Sequence, residues 1–193
     1  MEPVEYRPIQ NEDVEALGTI LGDTWHAYAD GRKRVVCGVI DLANFALRNT
    51  FAEVAVVDNS PIGVIMARAG IPDKQTQDHW ASIKHHACEE LNKLGGCASD
   101  LTRFFDAMEK ADRDLLVHSD CDPDFELVLF AVSSEARGLG VGSTLMDHAQ
   151  RYLAAQGASR ASLFTDTDCT WEYYEHRGMR REIGRASCRE RVF

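Results

Sequence analysis

Residues 125–153 read FELVLFAVSSEARGLGVGSTLMDHAQRYL, and this stretch decides the fold. Its first part, residues 125–132, is almost wholly aliphatic and aromatic, which predicts a strand. Residues 133–142 predict a glycine-bearing turn, and residues 143–155 carry apolar side chains at helical spacing. A strand that passes through glycines into a helix presents unpaired backbone amides beside the positive end of the helix dipole. This arrangement is typical of a pyrophosphate-binding loop.

The same stretch excludes two other phosphate-binding loops. A Walker loop is excluded because no Gly-Lys-Ser or Gly-Lys-Thr follows the glycines. A Rossmann site is excluded because the strand comes late and no early βαβ unit precedes it. Further along, residues 161–165 predict a short strand, and residues 168–176 predict a helix that Gly178 ends. This order implies a parallel strand pair with a right-handed crossover.

The sequence of the N-terminal third of the chain predicts antiparallel strands and two helices. Residues 4–9 predict a short strand, after which Asn11 is expected to cap a first helix. Asp41 is expected to open a second helix. Residues 51–57 and 62–69 flank the turn cluster DNSP and predict an antiparallel hairpin, so the sheet should be mixed.

Residues 71–124 predict a pair of amphipathic helices with an acidic surface. The two apolar stripes consist of Trp80, Ile83, Ala87, Leu91 and Leu94, and of Leu101, Phe104, Phe105, Met108 and Ala111. Twelve acidic and six basic residues place −6 of the chain's net charge of −10 in this segment. It is either a solvated helical face or an acidic wall over a substrate cleft.

Composition narrows the class of protein. With 193 residues and 45% hydrophobic side chains, the chain can form one domain with its own core. The net charge of −10 disfavours nucleic-acid partners and favours a cationic partner. No apolar run approaches the ~20 residues of a membrane span, and the first ten residues do not resemble a signal peptide. The six cysteines form no C-x-x-C pair, so free thiols and a cytoplasmic location are expected.

Two motifs in the last third resemble the GNAT superfamily of acetyl-CoA-dependent N-acetyltransferases. Residues 125–153 look like the acetyl-CoA motif of that family, and residues 161–179, ASLFTDTDCTWEYYEHRGM, look like its strand and helix ending in Tyr-x-x-x-Gly. The resemblance implies the GNAT fold, an α/β (α+β) domain with a mixed, mostly antiparallel, twisted sheet flanked by helices. We expect this domain to cover residues 1–181, with residues 71–124 as a helical insertion. Residues 182–193 look like translated adapter DNA and are expected to be a non-native tail.

The resemblance also implies a role for each matching residue. Backbone groups of Ala131 and Val132 would hold the pantetheine arm of acetyl-CoA like an added strand. Thr170 stands where the family often has an asparagine that bonds this arm, and Tyr174 falls on the general acid, with Tyr173 as its rival. The pyrophosphate would be held by the loop and first helical turn: Arg137, Gly138, Leu139, Gly140, Val141, Gly142 and Ser143.

Glu126 resembles the general base of one branch of the family. An amine with a pKa of ~10.4 is neutral in about one molecule in 2,000 at pH 7, so a carboxylate that takes its proton would assist attack on the thioester. Uninterrupted alternation along the strand places Glu126, Val128, Phe130 and Val132 on one face. The alternative is a glutamate at the end of the strand that only meets solvent or forms an ion pair.

The acceptor is expected to be a small cationic amine. The acidic excess favours a polycation, with an aminoglycoside antibiotic as first choice, which implies antibiotic resistance, and a polyamine as second. Asp120, Asp122 and Asp124, which precede the cofactor strand, are the candidate substrate-binding residues. The alternatives are acetylation of a protein or peptide amine, and a catalytically silent acyl-CoA-binding module. The histidines form no metal-ligand pattern, so no metal is expected; the oligomeric state stays open, a homodimer included.

Overall fold

The described residues form a central five-stranded sheet. The computed structural model describes residues 3–117, 124–165 and 169–181. The strands are β1 (Glu5–Pro8), β2 (Phe51–Val57), β3 (Ser60–Ala69), β4 (Phe125–Val132) and β5 (Ser162–Leu163), and they neighbour one another in this order. All neighbours are antiparallel except β4 and β5, which are parallel. The predicted hairpin, the parallel pair and the mixed sheet are thus confirmed.

Helices cover both faces of the sheet. They are α1 (Val14–Trp25), α2 (Gly31–Ala46), α3 (Lys74–Lys93), α4 (Ala98–Leu116), α5 (Val141–Ala155) and α6 (Glu172–His176). Buried side chains of α1 and α2 pack on one face, and those of α5 pack on the other. At the crossing of α1 and α2, a Cβ on Gly38 would overlap the carbonyl oxygen of Gly18, so only glycine permits this close approach.

The helix starts predicted at Asn11 and Asp41 are wrong. Asn11 lies in a short 3₁₀ turn, and the capping carboxylate belongs to Asp13, which accepts a hydrogen bond from the Gln10 amide at 2.8 Å. Helix α2 begins at Gly31, ten residues before the predicted start, and Asp41 is buried inside it. The Asp41 carboxylate lies 2.7 Å from Nε2 of His26, so a buried partner explains an aspartate in a helix interior.

The predicted pair of helices in residues 71–124 is present as α3 and α4. Helix α3 packs on α2, and its Trp80 reaches the core between the sheet and α1. Helix α4 buries fewer side chains than α3, because only Ala98 and Phe105 are buried along it. Phe104, which was assigned to the apolar stripe, is 46% exposed. Residues 118–123, and with them Asp120 and Asp122, lie outside the described residues, as do residues 182–193.

The described part of the chain holds free cysteines at positions 37, 88, 97 and 169. Within those same ranges, no group of three or more His, Cys, Asp or Glu side chains could hold a metal ion. None of the helices that the structure describes is long and apolar enough to cross a membrane.

Candidate active site

A β-bulge in β4 organises the site. Leu129 pairs with Met66 and Leu127 pairs with Ala67, so Val128 is an extra residue in β4. A bulge of this kind interrupts the alternation of side chains along a strand. Val128 and Leu129 both face the α1–α2 side, whereas Phe130 and Val132 pack on the α5 side with Leu127. The prediction that Glu126 shares a face with Phe130 and Val132 is therefore wrong.

Beyond the bulge, one edge of β4 is open. Among the described residues β5 pairs with β4 only at Glu126 and Leu127, so the rest of that edge lacks a neighbouring strand. The Ser133 amide donates to the Ile62 carbonyl at 2.9 Å on the β3 side. Since backbone groups alternate between the two edges, those of Phe130 and Val132 point to the open edge. Ala131, which was expected to share this role with Val132, directs its groups to β3 instead.

The turn after β4 ends in a helix N-terminus, as the sequence predicts. Gly138 and Gly140 have φ values of 82° and 77°, which side chains other than glycine adopt at a cost. Helix α5 starts at Val141, two residues before the predicted start, and its first internal bond runs from the Thr144 amide to the Gly140 carbonyl at 3.1 Å. The amides of Val141, Gly142 and Ser143 precede that bond, in the turn where a helix leaves its amides unpaired.

The loop itself lies at the surface. Arg137, Gly138, Leu139 and Gly140 are exposed, whereas Val141 is buried and fixes the start of α5 in the core. A Cβ on Gly142 would come within 3.0 Å of Cζ of Phe130, so this glycine lets the first helical turn sit against the Phe130 ring. The loop and the open edge of β4 are thus parts of one continuous site.

Two adjacent tyrosines of α6 lie against Phe130. The ring of Tyr173 stacks on Phe130, with 5.5 Å between centroids and 29° between planes. The ring of Tyr174 meets Phe130 edge-on at 6.4 Å. Burial raises the pKa of Tyr174 to about 12, with smaller contributions from Cys169 and Tyr173, so its phenol is protonated at neutral pH. Thr170 lies at the exposed start of this segment, and its carbonyl accepts from the Tyr173 amide at 3.2 Å.

Glu126 lies at the other end of β4 in a buried ion-pair network. Its Oε1 is 3.2 Å from Nη2 of Arg48, and its Oε2 is 3.0 Å from Nη2 of Arg68. Both carboxylate oxygens are therefore engaged by guanidinium groups, which is the ion-pair alternative that the sequence left open. Glu126 itself is 3% exposed.

Asp112 of α4 belongs to the same network. Burial raises its pKa to about 6, Arg48 lowers it, and the carboxylates of Glu126 and Glu109 raise it further. The neighbouring candidate Asp124 is exposed, and its carbonyl accepts from the Gly70 amide at 2.9 Å. Sequence reasoning missed Arg48, Arg68 and Asp112; only the pairing of Arg68 with Glu126 follows from the register of two predicted strands.

One family model matches most of the chain. A family model described as the acetyltransferase (GNAT) family matches residues 39–179. No functionally curated protein matches the chain. Among solved structures, a transcriptional regulator from Bacillus halodurans has a TM-score of 0.54 and 14% identity, over 94% of this chain and 96% of its own.

Two further solved structures have bound ligands. The paiA N-acetyltransferase from Thermoplasma acidophilum, in complex with coenzyme A, gives a TM-score of 0.50 at 13% identity, over 92% of this chain and 88% of its own. AAC(6')-Iy was solved in complex with the bisubstrate analogue CoA-S-monomethyl-acetylneamine. It has a TM-score of 0.50 at 14% identity, over 97% of this chain and 100% of its own. At such identities the likenesses show the fold alone.

Proposed function

The chain belongs to the GNAT family of acetyltransferases, and from that premise we propose that it moves the acetyl group of acetyl-CoA directly to a primary amine of a small cationic acceptor. The observation that carries the proposal is the open edge of β4, which leads to the glycine loop at the start of α5 and has Tyr174 beside it. The first-choice acceptor is an aminoglycoside and the second is a polyamine. A cytoplasmic location and a domain over residues 1–181, with residues 71–124 inserted, belong to the same proposal.

The residues present fit acetyl-CoA as co-substrate. Unpaired backbone groups of Phe130 and Val132 match the amides of an extended pantetheine arm, in the way that a peptide adds to a sheet edge. The loop from Arg137 to Ser143 ends in the first amides of α5, which together with the helix dipole match a pyrophosphate. Glycine at positions 138 and 140 leaves two positions of the exposed loop without a side chain, where the phosphates would approach.

Tyr174 is the proposed general acid. Attack of the amine nitrogen on the thioester carbonyl forms the new C–N bond, and departure of the thiolate breaks the C–S bond. The Tyr174 hydroxyl gives its proton to the departing thiolate, and the proton that the amine nitrogen releases passes through water to the Tyr174 phenolate, so protons and charges balance. A phenol whose pKa is about 12 carries its proton throughout the physiological range, which suits an acid better than a base.

Charge supports the choice of a cationic acceptor. The support comes from the net charge of −10 and not from the network at the end of β4 opposite the glycine loop, where Arg48 and Arg68 balance the carboxylates of Asp112 and Glu126. Asp124 lies at this same end, immediately before β4. One fold neighbour, AAC(6')-Iy, was solved with a ligand that joins CoA to acetylneamine, and this makes aminoglycosides the first compounds to test.

The experiment combines two measurements on the pure protein. Calorimetry with CoA and acetyl-CoA tests binding, and thiol release from acetyl-CoA tests transfer to a panel of aminoglycosides, polyamines and peptide amines. We expect binding, together with thiol release that depends on an aminoglycoside or a polyamine. Release with peptide amines alone would favour a protein acceptor, binding without release would favour a silent module, and no binding would overturn the proposal.

A further inference from the structure

Helix α6 carries Tyr174 but buries none of its own residues. It spans only Glu172–His176, and a helix this short is not stable through its internal hydrogen bonds alone. Its contacts with the sheet come from two rings, because Tyr173 and Tyr174 lie against Phe130 and against each other. A helix of this kind needs a further attachment to keep one orientation.

Arg177, the residue that follows α6, provides an attachment to α5. Its Nη2 donates a hydrogen bond to Oδ1 of Asp147, and the same nitrogen lies 3.5 Å from Oε1 of Gln150. The hydrogen bond from Arg177 lowers the pKa of the Asp147 carboxyl and raises the pKa of the guanidinium. Both groups are therefore charged at neutral pH, and they form an ion pair between the end of α6 and the middle of α5.

The backbone connects Arg177 closely to Tyr174. The Arg177 amide donates to the carbonyls of Tyr173 at 3.2 Å and of Tyr174 at 3.1 Å. The Met179 amide donates to the same Tyr174 carbonyl at 3.0 Å, and the Met179 side chain packs on the core cluster that both tyrosines contact. A guanidinium that is bound to α5 therefore fixes the end of the helix from which the Tyr174 side chain projects.

Asp147 lies on the helix that begins at the proposed pyrophosphate loop. Helix α5 starts at Val141, and Asp147 follows in its second turn. The pair of Arg177 with Asp147 thus joins the element proposed to hold the cofactor to the element that carries the proposed acid. A displacement of ~1 Å between reacting groups can lower a rate by about 10²-fold, so the relative position of these two helices matters for proton transfer.

We propose that Arg177 is a positioning residue whose ion pair with Asp147 holds α6 so that the Tyr174 hydroxyl reaches the thioester sulfur. The inference rests on the proposed function, because it takes Tyr174 as the general acid. In this role Arg177 contacts neither acetyl-CoA nor the acceptor. The side chains of the pair are 24% and 47% exposed, so their contribution to stability is small, and loss of the pair should affect the rate rather than the fold.

The test compares Arg177→Gln with Arg181→Gln in thiol release from acetyl-CoA, with the panel amine that the wild type acetylates fastest. Arg177→Gln should lower kcat roughly tenfold, with the CoA dissociation constant, the acceptor KM and the melting temperature unchanged. Arg177→Lys, which keeps the charge, should recover most of this loss. Asp147→Ala breaks the same pair from α5, at an exposed helical position that suits alanine, and should show the loss of Arg177→Gln. Arg181→Gln is the matched control and should keep the wild-type kcat, because Arg181 contacts Trp171 and Glu175 of its own segment.

A double variant separates positioning from a structural role. Tyr174→Phe has no hydroxyl to position, so adding Arg177→Gln to it should lower kcat no further, whereas a general structural defect would lower kcat equally in both backgrounds. Equal losses in both backgrounds, or a normal kcat in Arg177→Gln, would overturn the inference while the proposed acetyl transfer stands. A normal kcat in Tyr174→Phe would overturn the proposed acid and the inference with it. If the wild type releases no thiol, the proposed function itself is overturned.

Discussion

Arg68 and Glu126 lie directly opposite each other on neighbouring strands β3 and β4, with 3.0 Å between Nη2 and Oε2. Arg48 approaches the other carboxylate oxygen from the end of α2. The pair lies on the N-terminal side of the bulge at Val128, away from the open edge. The network therefore joins β3, β4 and the end of α2 at the side of the sheet where an acceptor amine is proposed to enter.

Glu126→Gln is expected to destabilise the fold by about 1–3 kcal/mol, because it leaves two guanidinium groups without their carboxylate. The side chains of Arg48 and Arg68 are 32% and 18% exposed, which limits the loss. Urea unfolding measures it. The matched control is Glu15→Gln, which breaks an exposed pair with Arg32 and should change the free energy of unfolding by less than about 1 kcal/mol.

The pH profile of Glu126→Gln decides between a base and an ion pair. If Glu126 is a general base, the loss of turnover in Glu126→Gln should shrink as pH rises, because the acceptor amine then loses its proton unaided. The ion pairs lead us to expect a loss of turnover that is independent of pH between about pH 6 and pH 9. A loss that shrinks across this range would restore Glu126 as the general base.

Asp112→Asn is expected to stabilise the protein in a pH-dependent way. The folded-state pKa of Asp112 is raised from 3.8 to about 6, mainly by burial, so the folded state resists its ionisation. The Asp112 carboxyl ionises at a lower pH in the unfolded chain than in the folded protein. The free energy of unfolding of the wild type therefore falls as pH rises from 3.8 to about 6 and stays constant above that. With allowance for partial exposure, the free energy of unfolding of Asp112→Asn should exceed that of the wild type by roughly 1–2 kcal/mol at neutral pH. The two proteins should be equally stable near pH 4. Equal gains at both pH values would contradict a titration effect.

Gly140→Val is expected to weaken acetyl-CoA binding by well over tenfold. The residue has a φ of 77° in the loop that is proposed to approach the pyrophosphate, so a side chain there both strains the backbone and blocks the ligand. Gly157→Val is the control, because Gly157 follows α5 with a φ of 94° and open space around it. Both variants should lose about 1–2 kcal/mol of stability, and only the first should lose affinity by calorimetry. Normal affinity in a folded Gly140→Val protein would exclude this loop as the binding site.

Tyr174→Phe is expected to lower kcat by about 10²-fold or more while acetyl-CoA affinity changes little. Because the pKa of Tyr174 is about 12, turnover of the wild type should not fall on the alkaline side below about pH 10. Steady-state rates with acetyl-CoA and an active acceptor measure both effects. A normal Tyr174→Phe beside an inactive Tyr173→Phe would mean that the acid is the other tyrosine.

Long periodic segments were predictable and single-residue irregularities were not. The hairpin of β2 and β3 and the helix α5 follow from alternating or helical spacing over seven or more residues. The bulge at Val128 leaves no trace in FELVLFAV, because aliphatic residues suit either face of a sheet covered on both sides. Asp41 looks like a helix cap because aspartate is favoured at that position, and only the fold brings His26 to it. The arginine partners of Glu126 come from β3 and from the end of α2, which the strand motif cannot show.

The acceptor KM is expected to rise steeply with salt, whereas the acetyl-CoA KM changes less. Attraction between exposed charges is screened over ~8 Å at physiological ionic strength, and Asp124 is exposed immediately before β4. Converting Asp120, Asp122 and Asp124 to asparagine should raise the acceptor KM and flatten its salt dependence. Glu5→Gln with Asp58→Asn is the control, because these exposed residues lie at the other end of the sheet, beside the turn between β2 and β3. Efficient acetylation of a neutral amine without a salt effect would contradict a cationic acceptor, and the family assignment would stand because it depends on residues 39–179 rather than on charge.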